Sequence, residues 1–177
     1  LVPHMRIDRA RELVASAHRI VAFTGAGICA ESGVPTYPGT GGLWKQFNPS
    51  QIASPRGFAE DPQRSWRWHN ERRAALKGIH PNPGHQALAN LEHRVAERGG
   101  RMTVATQNID GLHHRAGSRR VLELHGSILQ ARCTACDATE GLGFRDVGEA
   151  PMCPECGAML RPDIVWFGEM LPEDVWE

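Results

Sequence analysis

The sequence lacks the features that mark membrane, secreted and nucleic-acid-binding proteins. It has no apolar run near the roughly 20 residues that a membrane helix needs, and no basic segment followed by an apolar run near its start. Lysine and arginine together number 20, as do aspartate and glutamate, so no net charge favours binding to nucleic acid or lipid. We therefore expect a cytoplasmic protein without nucleic-acid or membrane partners. No pattern in the sequence points to a particular oligomeric state.

Length and composition fit an ordinary globular fold. The chain has 177 residues, of which 41% are hydrophobic, and this suits one medium-sized domain or one domain with a small insertion. Residues 1–5 look like the remnant of an expression tag, and we leave them out of the fold prediction.

Four of the five cysteines form two Cys-x-x-Cys pairs that are separated by sixteen residues. This spacing is typical of a zinc ribbon, in which two tight turns each present two thiolates to one tetrahedral ion. We predict that Cys133, Cys136, Cys153 and Cys156 bind a structural zinc ion. The alternatives are a redox pair or two disulfides. A segment this short has too little core of its own, so the metal would hold it together.

Strands and helices alternate along the rest of the chain. Buried strands are predicted at 19–24, 101–106 and 121–124, with a last strand-like run at 164–167. A first helix is predicted from an N-cap at Asp8 to about residue 18, with an apolar stripe that includes Ile7, Leu13 and Val14. Further helices follow Asp61 and Asn82. The pattern predicts an α/β fold: a Rossmann-like parallel sheet with helices on both faces, and a small helical plus zinc-ribbon domain.

A glycine-rich turn follows the first strand. Gly25, Gly27 and Ala30 leave room for a pyrophosphate to approach the backbone, and the helix that follows offers free N–H groups. The motif is weak by itself, because many tight strand-to-helix turns need two glycines. No acidic residue stands about 20 positions further on to bind a ribose as in dehydrogenases.

Polar residues follow the second and third strands. Gln107, Asn108 and Asp110 begin where strand 101–106 ends, and His125 comes directly after strand 121–124. Ligands bind at the carboxyl ends of parallel strands, and an imidazole there can take a proton from a sugar hydroxyl. The alternatives are polar loop caps and a structural histidine.

Two further segments could contact a ligand. The Gly- and Pro-rich stretch 35–55 is predicted to be a functional loop or lid. In the helix after Asp61, His69 and Arg72 share a face, and an arginine there could bind a carboxylate in bidentate fashion. A solvated basic helix is the alternative interpretation of that segment.

Taken together and in this order, the motifs resemble those of the sirtuins, the NAD-dependent protein-lysine deacylases. The resemblance rests on the residues 25–35, 107–110 and 124–126, the paired cysteines, and the residues 161–169. It implies acyl-lysine proteins as partners, NAD as cofactor and a structural zinc. It also implies a division into Rossmann-like parts at 6–44 and 86–127, a cofactor loop and helical insertion at 45–85, a zinc-ribbon module at 128–162 and a return to the Rossmann-like part at 163–177.

The resemblance also implies roles for individual residues. NAD would be held by Gly25, Ala26, Gly27, Ala30, Tyr37, Trp44, Gln107, Asn108, Ile109 and Asp110. His125 would be the general base, and the products would be nicotinamide, free lysine and O-acyl-ADP-ribose. Val165, Trp166 and Phe167 would line the acyl-lysine tunnel and pair with the substrate backbone.

The subtype follows from one helix. Sirtuins that remove succinyl or malonyl groups carry Tyr-x-x-Arg there, and this chain has His69 and Arg72 at those two positions. We expect removal of acidic acyl groups, with acetyl as a further substrate, and His69 could donate a hydrogen bond to the carboxylate. The alternatives are mono-ADP-ribosyl transfer and a non-catalytic zinc-ribbon module that senses NAD.

Three departures from the family pattern stand out. Cys29 replaces the usual serine, and Pro38 replaces an arginine in the loop that follows the glycine turn. The sequence also stops at Glu177, where a sirtuin continues with further strands and its adenine-ribose pocket, so we expect the chain to be incomplete at its C-terminal end.

Overall fold

The fold is taken from a computed structural model of the chain, which describes residues 4–34 and 51–172. Within these ranges the helices are α1 His4–Ser16, α2 Ala26–Cys29, α3 Pro55–Glu60, α4 Pro62–Leu76, α5 Pro83–Glu97 and α6 Leu112–Arg115, and a 3-10 turn covers Ala30–Ser32. The strands are β1 Arg19–Thr24, β2 Arg101–Thr106, β3 Val121–Glu123, β4 Gly126–Cys133, β5 Thr139–Gly141 and β6 Leu160–Ile164. They form two separate three-stranded sheets.

The first sheet is parallel, in the order β1-β2-β3. Thr24 pairs with Thr106, and Thr106 pairs with Glu123, so the three strands end at the same level. The residues that follow each strand therefore meet along one edge, which is where parallel sheets bind ligands.

One face of this sheet packs on α5. Val95 of the helix and Met102 and Val104 of β2 are buried together, with Ile20 and Ala22 of β1 against them. The helix begins where the sequence predicts: Asn82 accepts hydrogen bonds from the backbone of the first turn, and the side chain of His85 accepts one from the Asn82 N–H in return. This reciprocal cap satisfies donors that the helix cannot satisfy internally.

The opposite face of the sheet is open in the part of the chain that the structure describes. Val21 is 71% exposed and Phe23 is 61% exposed, so the parallel sheet is confirmed, but the prediction of a buried first strand with helices on both faces of the sheet is wrong for the described residues. An apolar run identifies a strand, but it cannot say which of its two faces is covered.

The first helix also differs from its prediction. It begins at His4 rather than after an N-cap at Asp8, and its apolar side chains Ile7, Leu13 and Val14 are exposed. The C-terminal end of the helix contacts the residue that follows α5: the Arg98 guanidinium donates to the carbonyls of Val14, Ala15 and Ala17, at distances of 2.7 to 2.8 Å. Helical spacing correctly predicts that these apolar side chains belong to a helix, but their burial would require a second surface that packs against them.

The second sheet is antiparallel, with β4 between β5 and β6. It shares the main core with α3 and α4, in which Trp66, Ile128 and Trp166 are buried. Trp66 of α4 is fully buried and donates its indole N–H to the carbonyl of Leu160 in β6 at 2.9 Å. Asp61 caps α4 as predicted, since its side chain accepts from the N–H of Arg64 at 2.9 Å.

The final strand lies earlier in the chain than predicted, at Leu160–Ile164 instead of 164–167. β6 stops at Ile164, and residues 165–167 leave the ladder to form a turn beside the cavity described below. Among the helices of the described ranges, none combines the length and the apolar character that crossing a bilayer requires.

Candidate active site

The edge where β1 and β2 end carries a connected set of polar groups. The N–H of Gln107 donates to the carbonyl of Thr24 at 3.0 Å, which extends the sheet by one bond beyond the strands. The Asn108 side-chain amide donates to the carbonyl of Gly25 at 3.0 Å. A Cβ on Gly25 would lie 3.3 Å from the Gln107 side chain, whereas one on Gly27 would meet nothing within 4 Å. The turn is therefore packed on one side and open on the other.

Asp110 is fixed by contacts to both carboxylate oxygens. One oxygen accepts from the N–H of Leu112 at 2.8 Å, and the other accepts from the thiol of Cys29 at 2.9 Å. The same sulfur lies 3.1 Å from the Asn108 amide nitrogen and 3.6 Å from the His85 ring. Burial, followed by the hydrogen bond to Asp110, raises the pKa of the Cys29 thiol far above its usual value. Cys29 is therefore a neutral donor that orients two rim residues.

The backbone sets the protonation pattern of the His125 ring. Its Nδ1 lies 2.9 Å from the carbonyl oxygen of Gln107, which can only accept a hydrogen bond. Nδ1 therefore carries the proton in the neutral ring, and Nε2 keeps a free lone pair. This arrangement is the one that a general base requires.

A cavity of about 440 Å³ joins the rim of the parallel sheet to the second sheet. His125, Asn108 and Asp110 line its polar end together with Ala26 and Cys29. The rest of the lining is mostly apolar and comes from α4, β4 and the segment after β6: Leu76, Ile79, Ile128, Ile164, Trp166 and Phe167 among others. One cavity thus has a polar end next to an imidazole and a wall suited to an aliphatic chain.

Arg72 contributes a cation to this wall. Its guanidinium carbon lies 3.1 Å from the centre of the Trp68 ring, and its Nη1 donates to the Trp68 carbonyl at 3.1 Å. Burial lowers the pKa of Arg72 to about 10, so the group is still a cation at neutral pH. Glu71 lines the same cavity from an exposed position.

His69 does not line the cavity, although the sequence suggested that it shares the task of Arg72. Its side chain is fully buried, and Nδ1 lies 2.7 Å from the carbonyl of Ser65 in the same helix. Nδ1 must then be the donor, and Nε2 carries no proton to offer to a ligand. Burial lowers the pKa of His69 to about 3, so protonation at neutral pH does not restore a donor there. The expected hydrogen bond from His69 to an acyl carboxylate is therefore contradicted.

The backbone N–H groups of residues 165–167, which follow β6, already donate to partners within the protein. The N–H of Val165 donates to the carbonyl of His125 at 2.9 Å, and that of Phe167 donates to the carbonyl of Ala53 at 3.0 Å. The N–H of Trp166 donates to the carboxylate of Glu169 at 2.8 Å. A substrate backbone could therefore pair with this segment only by donating its own N–H groups to the carbonyl oxygens of residues 165–167. The predicted strand pairing is limited to hydrogen bonds in that one direction.

The four paired cysteines converge as predicted. Their sulfur atoms lie within 4.8 Å of one another, with 3.4 Å between Cys133 and Cys156 and 3.8 Å between Cys136 and Cys153. A tetrahedral zinc with Zn–S bonds of about 2.3 Å places its sulfurs about 3.8 Å apart, so the cluster fits this ion. The N–H of Ala135 donates to the sulfur of Cys133 at 3.3 Å and lowers the pKa of that thiol, which favours its thiolate form.

The remaining predicted residues divide into three groups. Gln107, Ile109, Val165, Trp166 and Phe167 line the cavity, as do Ala26 and Arg72. Gly25, Gly27 and Ala30 belong to the turn beside it but do not line it. Tyr37 and Trp44 lie outside the described residues.

Sequence reasoning did not assign Trp68 and Cys29 to the site. Trp68 stands four residues before Arg72, which places both on one face of the helix, so its position was readable from the spacing. Cys29 lies inside the glycine turn, and its contact with Asp110 across 81 residues had no local signal.

The elements described so far define an α/β unit in which a parallel sheet ends in a polar rim beside a cavity, joined to a four-cysteine module. A family model described as the Sir2 family matches residues 25–177. The chain is 51% identical over 165 residues to the NAD-dependent protein deacylase 2 of Pyrobaculum aerophilum, covering 93% of this chain and 65% of that protein. It is 47% identical over 172 residues to the NAD-dependent protein deacylase of Thermus thermophilus, with 97% and 67% covered.

Solved structures agree with these relatives. The crystal structure of a Sir2 homolog–NAD complex superposes with a TM-score of 0.83 at 42% identity, over 96% of this chain and 65% of that one. A complex with a deacetylated p53 peptide and 3'-O-acetyl ADP ribose gives 0.78 at 33% identity, over 96% and 69%. The chain belongs to the Sir2 family. It spans about two thirds of the length of the curated relatives it matches.

Proposed function

We propose that this chain forms the nicotinamide-side and substrate-side parts of an NAD-dependent protein-lysine deacylase. The observation that carries the proposal is the single cavity in which the unprotonated Nε2 of His125 stands between a polar rim and an apolar wall. The names of the relatives support it, since they are NAD-dependent protein deacylases. We also propose that the four-cysteine cluster holds a structural zinc, as no open coordination position would remain.

The rim suits NAD. Gly27 faces open space where a diphosphate can approach the backbone, and Asn108 and Asp110 present an amide and a carboxylate to the nicotinamide and its ribose. When bound, NAD would supply an electrophilic ribose carbon for the acyl oxygen, with nicotinamide as the leaving group. His125 accepts the proton of a ribose hydroxyl at Nε2, and the carbonyl of Gln107 steadies the charge that the ring gains at Nδ1–H. The apolar wall excludes water from that exchange.

The products test this function. Incubation of the chain with NAD and an acyl-lysine peptide should yield O-acyl-ADP-ribose, detected by mass spectrometry, and His125→Asn should abolish it. Transfer of ADP-ribose to protein without O-acyl-ADP-ribose would instead identify a mono-ADP-ribosyltransferase. Binding of NAD without any turnover would identify a non-catalytic module.

The acyl preference is a narrower part of the proposal. We propose that Arg72 selects succinyl and malonyl groups, because it places a cation in a mostly apolar wall. A carboxylate would draw the guanidinium away from the Trp68 ring, into a bidentate pair.

A kinetic comparison tests the role of Arg72. Arg72→Met should lower kcat/KM for a succinyl-lysine peptide by about 100-fold, since a hydrogen-bonded charge pair contributes about 3 kcal/mol. Acetyl-lysine turnover should change by no more than about threefold, because a neutral acyl group makes no such pair. Arg67→Met is the matched control, since Arg67 lies on the same helix but is 56% exposed. Unchanged succinyl turnover in Arg72→Met would refute this preference.

A further inference from the structure

Arg161 and Glu169 form a largely buried ion pair just outside the cavity wall. Both guanidinium Nη atoms contact the two carboxylate oxygens, at 2.6 and 2.9 Å, and the side chains are only 10% and 18% exposed. This is the bidentate geometry in which arginine fixes a carboxylate in both position and orientation. Neither residue lines the cavity itself.

The pair closes the turn that follows β6. Arg161 stands within β6, and its Nη2 also donates to the carbonyl of Ile164 at 3.0 Å. Glu169 stands on the far side of the turn, where its carboxylate accepts from the N–H of Trp166 at 2.8 Å and its own N–H donates to the Trp166 carbonyl at 3.0 Å. Gly168 reverses the chain between them with φ of +89°. The turn is therefore held from both ends by the Arg161–Glu169 pair, and Glu169 also lies 3.6 Å from the guanidinium of Arg132 in β4.

The guanidinium also fixes the side chain that forms the wall. Its carbon lies 3.4 Å from the centre of the Trp166 ring, and the Phe58 ring is a further neighbour of Trp166, with 5.1 Å between the ring centres. Trp166 is 3% exposed and lines the cavity together with Val165 and Phe167. Loss of the guanidinium would remove a packing partner of the ring and loosen the turn, while the N–H groups of Val165 and Phe167 would keep their own partners.

General stability does not explain such a pair. A buried ion pair adds little net free energy compared with apolar residues of similar size, and its best attested use is to hold one arrangement against others. Here the arrangement that it holds is a wall of the proposed acyl-lysine channel. The Asp110 carboxylate and the His125 ring are fixed by side-chain contacts of their own, while the segment reaches the backbone of His125 through the N–H of Val165.

We propose that Arg161 and Glu169 are positioning residues for the acylated peptide: they set the turn 164–169 so that Val165, Trp166 and Phe167 form the channel, and they act on peptide binding without acting on the cofactor. This inference rests on the deacylase function proposed above.

Two binding measurements on the same protein test it. The probes are a fluorescein-labelled peptide with one acetyl-lysine, followed by fluorescence anisotropy, and ADP-ribose, followed by calorimetry. Glu169→Gln keeps the shape of the side chain but loses its charge, and it should weaken peptide binding by about tenfold or more. Its affinity for ADP-ribose should change by less than about twofold. Arg161→Lys, which keeps the cation but loses the fork, should fall between Glu169→Gln and the unaltered chain.

The matched control is Glu149→Gln. Glu149 belongs to an exposed ion pair with Arg67, at 3.7 Å, in the same half of the molecule, and both affinities should stay unchanged in this variant. If Glu169→Gln and Arg161→Lys bind the peptide as tightly as the control does, the positioning role is refuted. Equal loss of both ligands, with lower zinc content, would assign the pair a merely structural role and also refute it. If the unaltered chain binds ADP-ribose but no acylated peptide, the deacylase function fails first, and the positioning role fails with it.

Discussion

A buried carboxylate on α5 offers a sharp test of how the third strand is positioned. Glu92 is 8% exposed, and its two oxygens accept from the N–H groups of Arg119 and Arg120, each at 2.9 Å. These residues lead directly into β3, which ends next to His125. The carboxylate thus joins the helix under the sheet to the strand that carries the proposed base. Glutamine at position 92 would keep one acceptor and turn an NH2 group toward the other N–H.

The structure gives the size of the effect. A hydrogen bond to a charged group contributes about 1.5–3 kcal/mol, and Glu92→Gln loses one such bond and weakens the other. We expect a loss of about 2–3 kcal/mol in the free energy of unfolding, which lowers Tm by about 5–10 °C in a chain of this size. Thermal unfolding followed by circular dichroism measures it.

The control for Glu92→Gln lies on the same helix. Glu97 pairs with His93 at 3.5 Å but is 62% exposed, so Glu97→Gln should shift Tm by less than about 2 °C. A Glu92→Gln protein that melts together with the Glu97→Gln control would refute the bidentate anchor. The Glu92→Gln protein should also keep its zinc content, since the cysteine cluster lies in the other sheet.

Two other perturbations have expected outcomes. Burial lowers the pKa of His113 from 6.5 to about 4, so its neutral form stabilises the native state above pH 6.5, and this contribution is lost as the pH falls through 4. The full loss is about 3 kcal/mol in the free energy of unfolding. Urea unfolding at a series of pH values measures it, and in His113→Gln the fall in this free energy with decreasing pH should be smaller by that amount. An equally steep fall in the variant would contradict the assignment. The chain should bind one zinc ion per molecule by atomic absorption, and Cys156→Ser should lose it while Cys29→Ser keeps it. Zinc retained at full occupancy in Cys156→Ser would disprove the proposed ligand set.

Local patterns predicted the parts of the fold whose determinants are close in sequence. The bounds of β2 match the prediction residue for residue, and the caps at Asp61 and Asn82 mark the starts of α4 and α5. The cysteine spacing predicted a cluster because each tight turn supplies two ligands by itself. The polar residues after β2 and β3 could be assigned to one edge because parallel strands end together.

Burial could not be predicted in the same way, since it depends on what covers a surface. Val21 and Phe23 have the composition of a core strand but face outward in the described part of the chain. His69 is the converse case. Its spacing from Arg72 placed both on one side of the helix, but a hydrogen bond to its own backbone and the neighbouring Trp68 ring keep it beneath the wall. Periodicity indicates which side of a helix a side chain is on, but it does not indicate how deeply that side chain is buried.

The candidate site lies between the parallel and the antiparallel sheet, and each sheet supplies only part of its lining. The parallel sheet supplies His125 and Asp110, whose positions follow from strand ends and local hydrogen bonds. The wall comes from the antiparallel sheet, through β6, which starts beside the cysteine cluster and ends in the turn held by Arg161. A metal ion at the cysteines would therefore affect the substrate wall through β6 and through β4, which ends at Cys133 and supplies Ile128 to the cavity. Zinc loss should accordingly weaken peptide binding before it weakens ADP-ribose binding, because the Asp110 carboxylate and the His125 ring are held by contacts that involve no residue of the cysteine module.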